Sequence, residues 1–165
     1  MLAYAGLADC YIILANSGEF PAIEAYLKAK WAAEKALALD ENLAEAHVAM
    51  ALIHFQREWN WRDAGREFRR AIELKPDYGP AHQGYSILLA VIGSTDKALA
   101  EAKEARSLDR YSLIVNANYG RILYYAGKYN EAVTELQNML ALDPNFFVAR
   151  RYLGQVYEEQ GRHKQ

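Results

Sequence analysis

Apolar residues recur at three- and four-residue spacing along almost the whole chain, in stretches separated by small clusters of Gly, Asn, Asp and Pro. That spacing places them on one face of a helix. The pattern is clearest in YGRILYYAGKYNEAVTELQNMLALDPN, residues 119–145. It predicts helices from Ser112 to Ala126 and from Glu131 to Leu142, separated by Gly127-Lys128-Tyr129-Asn130. Gly127 suits a left-handed residue at the first helix's end. Asn130 is placed to cap the second helix, because its side-chain oxygen can accept an unpaired backbone N–H. Asp143-Pro144-Asn145 then stops that helix, and Asn145 is placed to cap the next. The unit is a helical hairpin.

The hairpin repeats. The turns between hairpins read Asp40-Glu41-Asn42, Lys75-Pro76-Asp77, Asp109-Arg110-Tyr111 and Asp143-Pro144-Asn145, and their middle residues are 35, 34 and 34 positions apart. Small residues recur in step, Ala51, Ser86, Gly120 and Gly154 on the first helices, Ala29, Ala64, Ala98 and Ala132 on the second. Helix axes approach closely only over side chains this small, so these positions mark the crossing inside each hairpin. Met50, Tyr85, Tyr119 and Leu153 sit one residue before the small ones on the first helices. A 34-residue helical-hairpin period resembles the tetratricopeptide repeat (TPR) family. The resemblance covers almost all of the chain. It implies an all-α fold, a right-handed α–α superhelix of four helical hairpins plus one C-terminal helix. The units run over about 1–41, 42–76, 77–110 and 111–144, with a half unit at 145–161. Helical periodicity starts at Leu2 and stops soon after Gly161, which reads as a piece excised from a larger protein.

The first unit departs from the period. Its first helix is expected over Leu2 to Ala15 and its second over Pro21 to Leu39, with an excess of about nine residues over the family norm. The stretch from Asn16 to Pro21 is either a functional loop or part of a helix extension. The second unit has one extra residue in Glu58-Trp59-Asn60-Trp61-Arg62-Asp63, where Trp61 aligns with Thr95 and Tyr129 and Trp59 is additional. In the third unit Gly93 ends the first helix, and Ser94 or Thr95 caps the second.

Composition narrows the function classes. Hydrophobic residues make up 52% and charged residues 24%, enough to bury a core and too few charges for disorder. The net charge of −2, with both signs interspersed, lacks the basic stripe of a phosphate-backbone binder, so no nucleic-acid partner is expected. No apolar run is long enough to span a membrane, and the start lacks a signal peptide's features. A single Cys excludes an internal disulfide and fits a reducing, cytoplasmic setting. An extracytoplasmic segment of an anchored parent remains an alternative. Cys10 is expected to be a buried, inert thiol. Of the four His, His47 and His82 occupy equivalent repeat positions, His47 and His54 share a face without a third ligand, and His163 stands near the end. No phosphate loop, dinucleotide fingerprint or nucleophile elbow occurs. No cofactor, metal site or catalytic residue is predicted, and the chain reads as a non-enzyme.

The TPR resemblance implies that first helices line a concave groove. Carried over residue by residue, the partner-binding positions are Asp9 and Ile13; Leu52, Phe55 and Gln56; Gln83 and Ile87; Asn118, Arg121, Tyr124 and Tyr125; and Arg151 and Gln155. Chaperone-binding TPRs grip a terminal carboxylate with Lys and Asn. The corresponding positions here are Ala5, Asp9, Val48, Leu52, Gln83 and Gly84, so that clamp is missing. An amphipathic helix or extended peptide with apolar anchors is the expected ligand. The alternative is self-assembly, a homodimer through exposed terminal helices involving Leu153 and Tyr157. Stretches such as KAKWAAEKALALD are similar to TPR regions of multidomain bacterial signalling and transcription-regulatory proteins, which implies a docking or sensory role.

Overall fold

The computed structural model describes residues 1–18 and 20–161. Among these it contains α1 (Leu2–Ser17), α2 (Ala22–Leu39), α3 (Ala44–Gln56), α4 (Trp61–Leu74), α5 (Gly79–Val91), α6 (Thr95–Leu108), α7 (Leu113–Tyr125), α8 (Tyr129–Leu142) and α9 (Phe147–Glu159), and no strand. Among the described residues the helices thus follow in the expected order. The chain divides into two compact units, Met1–Leu88 and Leu89–Gln165.

The excess residues of the first hairpin lengthen its helices. α1 has 16 residues and α2 has 18, against 13 or 14 in the others. Between Ser17 and Ala22 there is no room for a long loop. The ends of the longer helices are tied by a polar knot. Tyr26 Oη lies 3.0 Å from Asn16 Oδ1 and 2.8 Å from Gln56 Oε1, with one proton to give, while Asn16 Nδ2 donates to Gln56 Oε1 at 3.1 Å.

Turn chemistry decides where the remaining helices stop. Gly93 and Gly127 close α5 and α7 at φ of 79° and 72°, a region an L side chain rarely enters. In the second hairpin the corresponding conformation falls to Trp59, at φ 55° and 73% exposed. Asn60 then caps α4 by accepting from Asp63 N at 3.2 Å, and Ser112 caps α7 by accepting from Val115 N at 3.4 Å.

Three cap assignments need correction. α8 begins at Tyr129 with Lys128 in the cap position, so Asn130 lies inside the helix. The last helix starts at Phe147 with Phe146 in the cap position, and Asn145 N instead donates to Asp143 Oδ1 at 2.9 Å in the turn. Ser94 occupies the α6 cap position without a side-chain bond. The short turns satisfy these backbone groups themselves, through bonds such as Ala132 N to Lys128 O at 2.9 Å.

A second device recurs at the hairpin junctions. His47 Nε2 donates to Glu41 O at 2.9 Å, His82 Nε2 to Pro76 O at 2.8 Å and Asn116 Nδ2 to Arg110 O at 3.0 Å, while Arg150 Nη2 donates to Pro144 O. Each acceptor is the middle residue of an inter-hairpin turn, six positions upstream. The polar side chain on each first helix therefore pins the turn that precedes it. His47 is braced further by Glu67 Oε2 at 2.6 Å, which holds the imidazole above its ordinary value.

The interior of the first unit is built largely of methyl groups. Ala8, Ala25, Ala29, Ala32, Ala33 and Ala49 are fully buried around Ile53. A second cluster surrounds Phe68, with Ala51, Ala64, Ala71, Ala81 and Leu88. The second unit buries Ile122, Leu123, Leu136 and Val156 beside Ala98, Ala132 and Ala149. The expected crossing positions are closed, with Ala51, Ser86, Ala29, Ala64, Ala98 and Ala132 all at 1% exposure or less. Gly154 is the exception: it is exposed, and a Cβ there would meet nothing within 4 Å.

Candidate functional site

In the first unit, α1, α3 and the start of α5 border a groove of about 350 Å³. It is lined by Asp9, Ile12 and Ile13 from α1, Val48 and Leu52 from α3, and Pro80, Gln83, Gly84 and Ile87 from α5, with Tyr78 from the preceding turn. The three- and four-residue spacings within each helix put these side chains on one face. Ile12 and Val48 form a buried floor, whereas Ile13 stands at the rim with 67% of its surface exposed. Gly84 deepens the floor, because its missing side chain leaves room for the Phe68 ring beneath.

One ionisable group faces this largely apolar wall. Burial, followed by the nearby Glu45 carboxylate, pushes the Asp9 carboxyl up to about 6. Tyr78 is pushed up to about 12 by burial and by the charges of Asp9 and Glu45. Glu45 has a partner in Lys75 at 2.9 Å, and the Lys75 ammonium lies 4.8 Å from the Tyr78 ring centre. The Asp9 carboxyl makes neither a side-chain hydrogen bond nor an ion pair among the described residues.

Five of the positions expected in the groove meet here: Asp9, Ile13, Leu52, Gln83 and Ile87. Phe55 packs against the Phe68 cluster, and Gln56 is held in the knot with Tyr26 and Asn16, so neither lines the groove. Tyr78 and Pro80 were missed. The signal available was Pro80 near a helix start, which pre-sets the backbone where the chain turns into the groove.

The second unit gathers its expected residues into two groups. The Arg121 and Arg151 guanidiniums each lie 5.0 Å from the Tyr152 ring centre, and Arg151 Nη2 donates to Tyr152 Oη at 3.3 Å. Neither pairs with a carboxylate among the described residues, and Arg121 Nε is buried without a partner. Tyr124 stacks obliquely on Tyr125 and Tyr129, at 5.4 and 5.9 Å. Tyr125 is 46% exposed, Asn118 only 7%, and Gln155 is exposed. A basic recess of Lys103, Arg106, Ser107, Arg110 and Tyr119 was not foreseen. Its centre is partly neutralised, since Arg106 makes a two-pronged pair with Glu135 at 3.0 and 3.1 Å.

The remaining expectations are met unevenly. Leu153 and Tyr157 are half-buried, and Tyr157 Oη accepts from Gln137 Nε2 at 3.0 Å, so α9 does not present them as an open face. Phe147 and Leu142 are the exposed apolar residues there, at 69% and 73%. Cys10 is exposed, contrary to the expected buried thiol. His163 and Arg162 lie outside the described residues. Among the described residues no helix is long and apolar enough to cross a membrane, and no group of three potential ligands could hold a metal ion.

Comparison with known proteins finds similarity to tetratricopeptide repeats. The TPR repeat family profile matches residues 120–161. The small glutamine-rich tetratricopeptide repeat-containing protein 2 of Mycosarcoma maydis is 28% identical over 123 residues, covering 73% of this chain. The chain spans about a third (34%) of that relative's length. Among solved structures, YrrB, described as a TPR protein with an unusual peptide-binding site, superposes with a TM-score of 0.65 at 21% identity. That match covers 93% of this chain and 78% of YrrB. MamA superposes with a TM-score of 0.68 at 17% identity, over 87% of this chain and 83% of its own. The fold is that of a TPR solenoid.

Proposed function

We propose that this TPR solenoid is a protein-docking scaffold whose first unit holds an apolar-anchored peptide or helix of a partner in the groove of α1, α3 and α5. The observation that carries this reading is the groove itself, a recess with a buried aliphatic floor and an exposed isoleucine at its rim. TPR folds are typically non-catalytic interaction modules, stacked so that successive repeats offer a binding surface. The peptide-binding site described for YrrB supports the same reading. One large apolar side chain buried in such a recess contributes about 1.5–3 kcal/mol. Two such anchors give about 3–6 kcal/mol gross. That is less than the roughly 8 kcal/mol of a micromolar complex even before the entropy of association, so a micromolar ligand must also make backbone and polar contacts along the groove.

The test uses nine-residue leucine-anchored synthetic peptides and fluorescence polarisation. Ile13→Glu combined with Ile87→Ser is expected to weaken binding by at least about tenfold, with the helical circular dichroism unchanged. Undiminished affinity in that variant removes the groove from the docking site.

Self-assembly is a second reading, favoured by two exposed apolar surfaces. Ile23, Leu27 and Trp31 form an exposed apolar stripe on α2, at 62%, 65% and 49%. Phe147 and Leu142 offer a second exposed apolar surface at α8 and α9. Light-scattering mass decides it. A dimer that persists on dilution supports assembly, and a monomer at every concentration eliminates it.

A further inference from the structure

The groove is not neutral. Asp9 sits on its wall among Ile12, Ile13, Val48 and Ile87, with no cation of the chain paired to it among the described residues. Burial and one neighbour make the position worse for an anion. The Glu45 carboxylate approaches from α3, while Tyr78, a neutral phenol, borders the groove from the turn before α5. Lys75, whose ammonium lies 4.8 Å from the Tyr78 ring centre, is engaged by Glu45. No charged group of α2 acts on Asp9; Lys28 of that helix is paired with Glu24, and Lys30 with Glu58. A carboxylate partly withdrawn from water and left unpaired costs stability, and an incoming cation would relieve that cost.

We infer that the groove selects a partner segment in which a lysine or arginine is flanked by large apolar residues, the cation seated on Asp9 beside the Tyr78 ring and the flanking side chains on the aliphatic floor. This rests on the groove being the docking site and adds the chemistry of its occupant. Charge complementarity argues for it: the carboxylate lacks a partner, and the Tyr78 ring that borders the same groove already takes one ammonium, that of Lys75, at 4.8 Å. A cationic stem suits the recess too, since the methylenes of Lys or Arg lie along apolar surface while the head reaches the charge.

Titration gives the inference an independent handle. The folded-state value of about 6 lies above the ordinary aspartate value of 3.8, so the folded chain holds this proton more tightly than the unfolded one. The carboxyl therefore contributes stability at low pH that is lost as pH rises from 3.8 to about 6. Asp9→Asn is accordingly expected to melt higher than the parent at pH 8 and to lose that advantage at pH 4.

The experiment uses the full chain and acetylated, amidated nine-residue peptides with two fixed leucines and Lys, Arg, norleucine or Glu at the centre. At pH 7.5 the Lys and Arg peptides are expected to bind at least about tenfold tighter than the norleucine peptide. The Glu peptide is expected to bind more weakly still. The preference should vanish in Asp9→Asn and shrink at pH 5, with norleucine binding retained in both. Equal binding of Lys and norleucine peptides by the parent overturns the inference and leaves the groove reading intact. A preference that survives Asp9→Asn also overturns it, by placing the anion elsewhere. Failure of every peptide, or their displacement by a second copy of the chain, overturns both readings.

Discussion

Phe68→Ala is expected to cost the first unit about 3–5 kcal/mol, read as a lower urea midpoint at an unchanged or slightly altered slope. The ring is completely buried among Ala51, Ala64, Ala71, Ala81 and Leu88, none of which has volume to spare for filling the hole. Its fit against α5 depends on an absent side chain. A Cβ on Gly84 would come within 2.4 Å of Phe68 Cε1 and 2.7 Å of Cζ, closer than real contacts allow. Gly84→Ala should therefore destabilise by about 1–3 kcal/mol, although alanine alone favours a helix by about 1 kcal/mol over glycine. The two sites share one volume, so Phe68→Leu with Gly84→Ala should cost less than the sum of the single changes. Strict additivity would show that the ring and the glycine do not compete for that space.

Gly120→Leu is the matching perturbation of the second unit. A Cβ at Gly120 would meet Leu136 Cδ2 and Cγ at 2.9 Å, and Leu136 is fully buried. Three further carbons cannot enter without parting α7 from α8, a cost of about 1–3 kcal/mol or more. Thermal unfolding should show the midpoint falling by several degrees, more steeply than for Gly154→Leu, where open space surrounds the Cβ position. Equal losses at the two glycines would mean that helix propensity, and not the crossing, governs both.

These two glycines show what the sequence made legible. Gly120 fell on the 34-residue ladder of small residues, and the structure finds it at a crossing. Gly154 fell on the same ladder and is exposed, because a periodic pattern records where a neighbour would pack without supplying that neighbour. Gly84 lay off the ladder, and only the direction of the Phe68 ring explains it. Helix order and turn positions were readable because Gly, Asn, Asp and Pro act through local backbone geometry. The caps at Asn130 and Asn145 were misplaced by one or two residues, since a turn can satisfy its own backbone groups. For the candidate site, the TPR resemblance pointed to Asp9, Ile13, Leu52, Gln83 and Ile87, which line one recess. It could not show that Gln56 is held by Tyr26 and Asn16, or that Tyr78 reaches the groove from a turn. Those depend on the lengthened first hairpin, which a family spacing does not describe.

The alanine interior beneath the groove has a thermodynamic corollary. Alanine has no rotamers to freeze, so the interior behind α1 and α3 surrenders no side-chain entropy when something settles on the groove. On the host's side the loss is confined to lining side chains such as Ile13 and Leu52. The rest of the entropic cost of recognition falls on the guest, and a guest already rigid in its docked conformation avoids most of it.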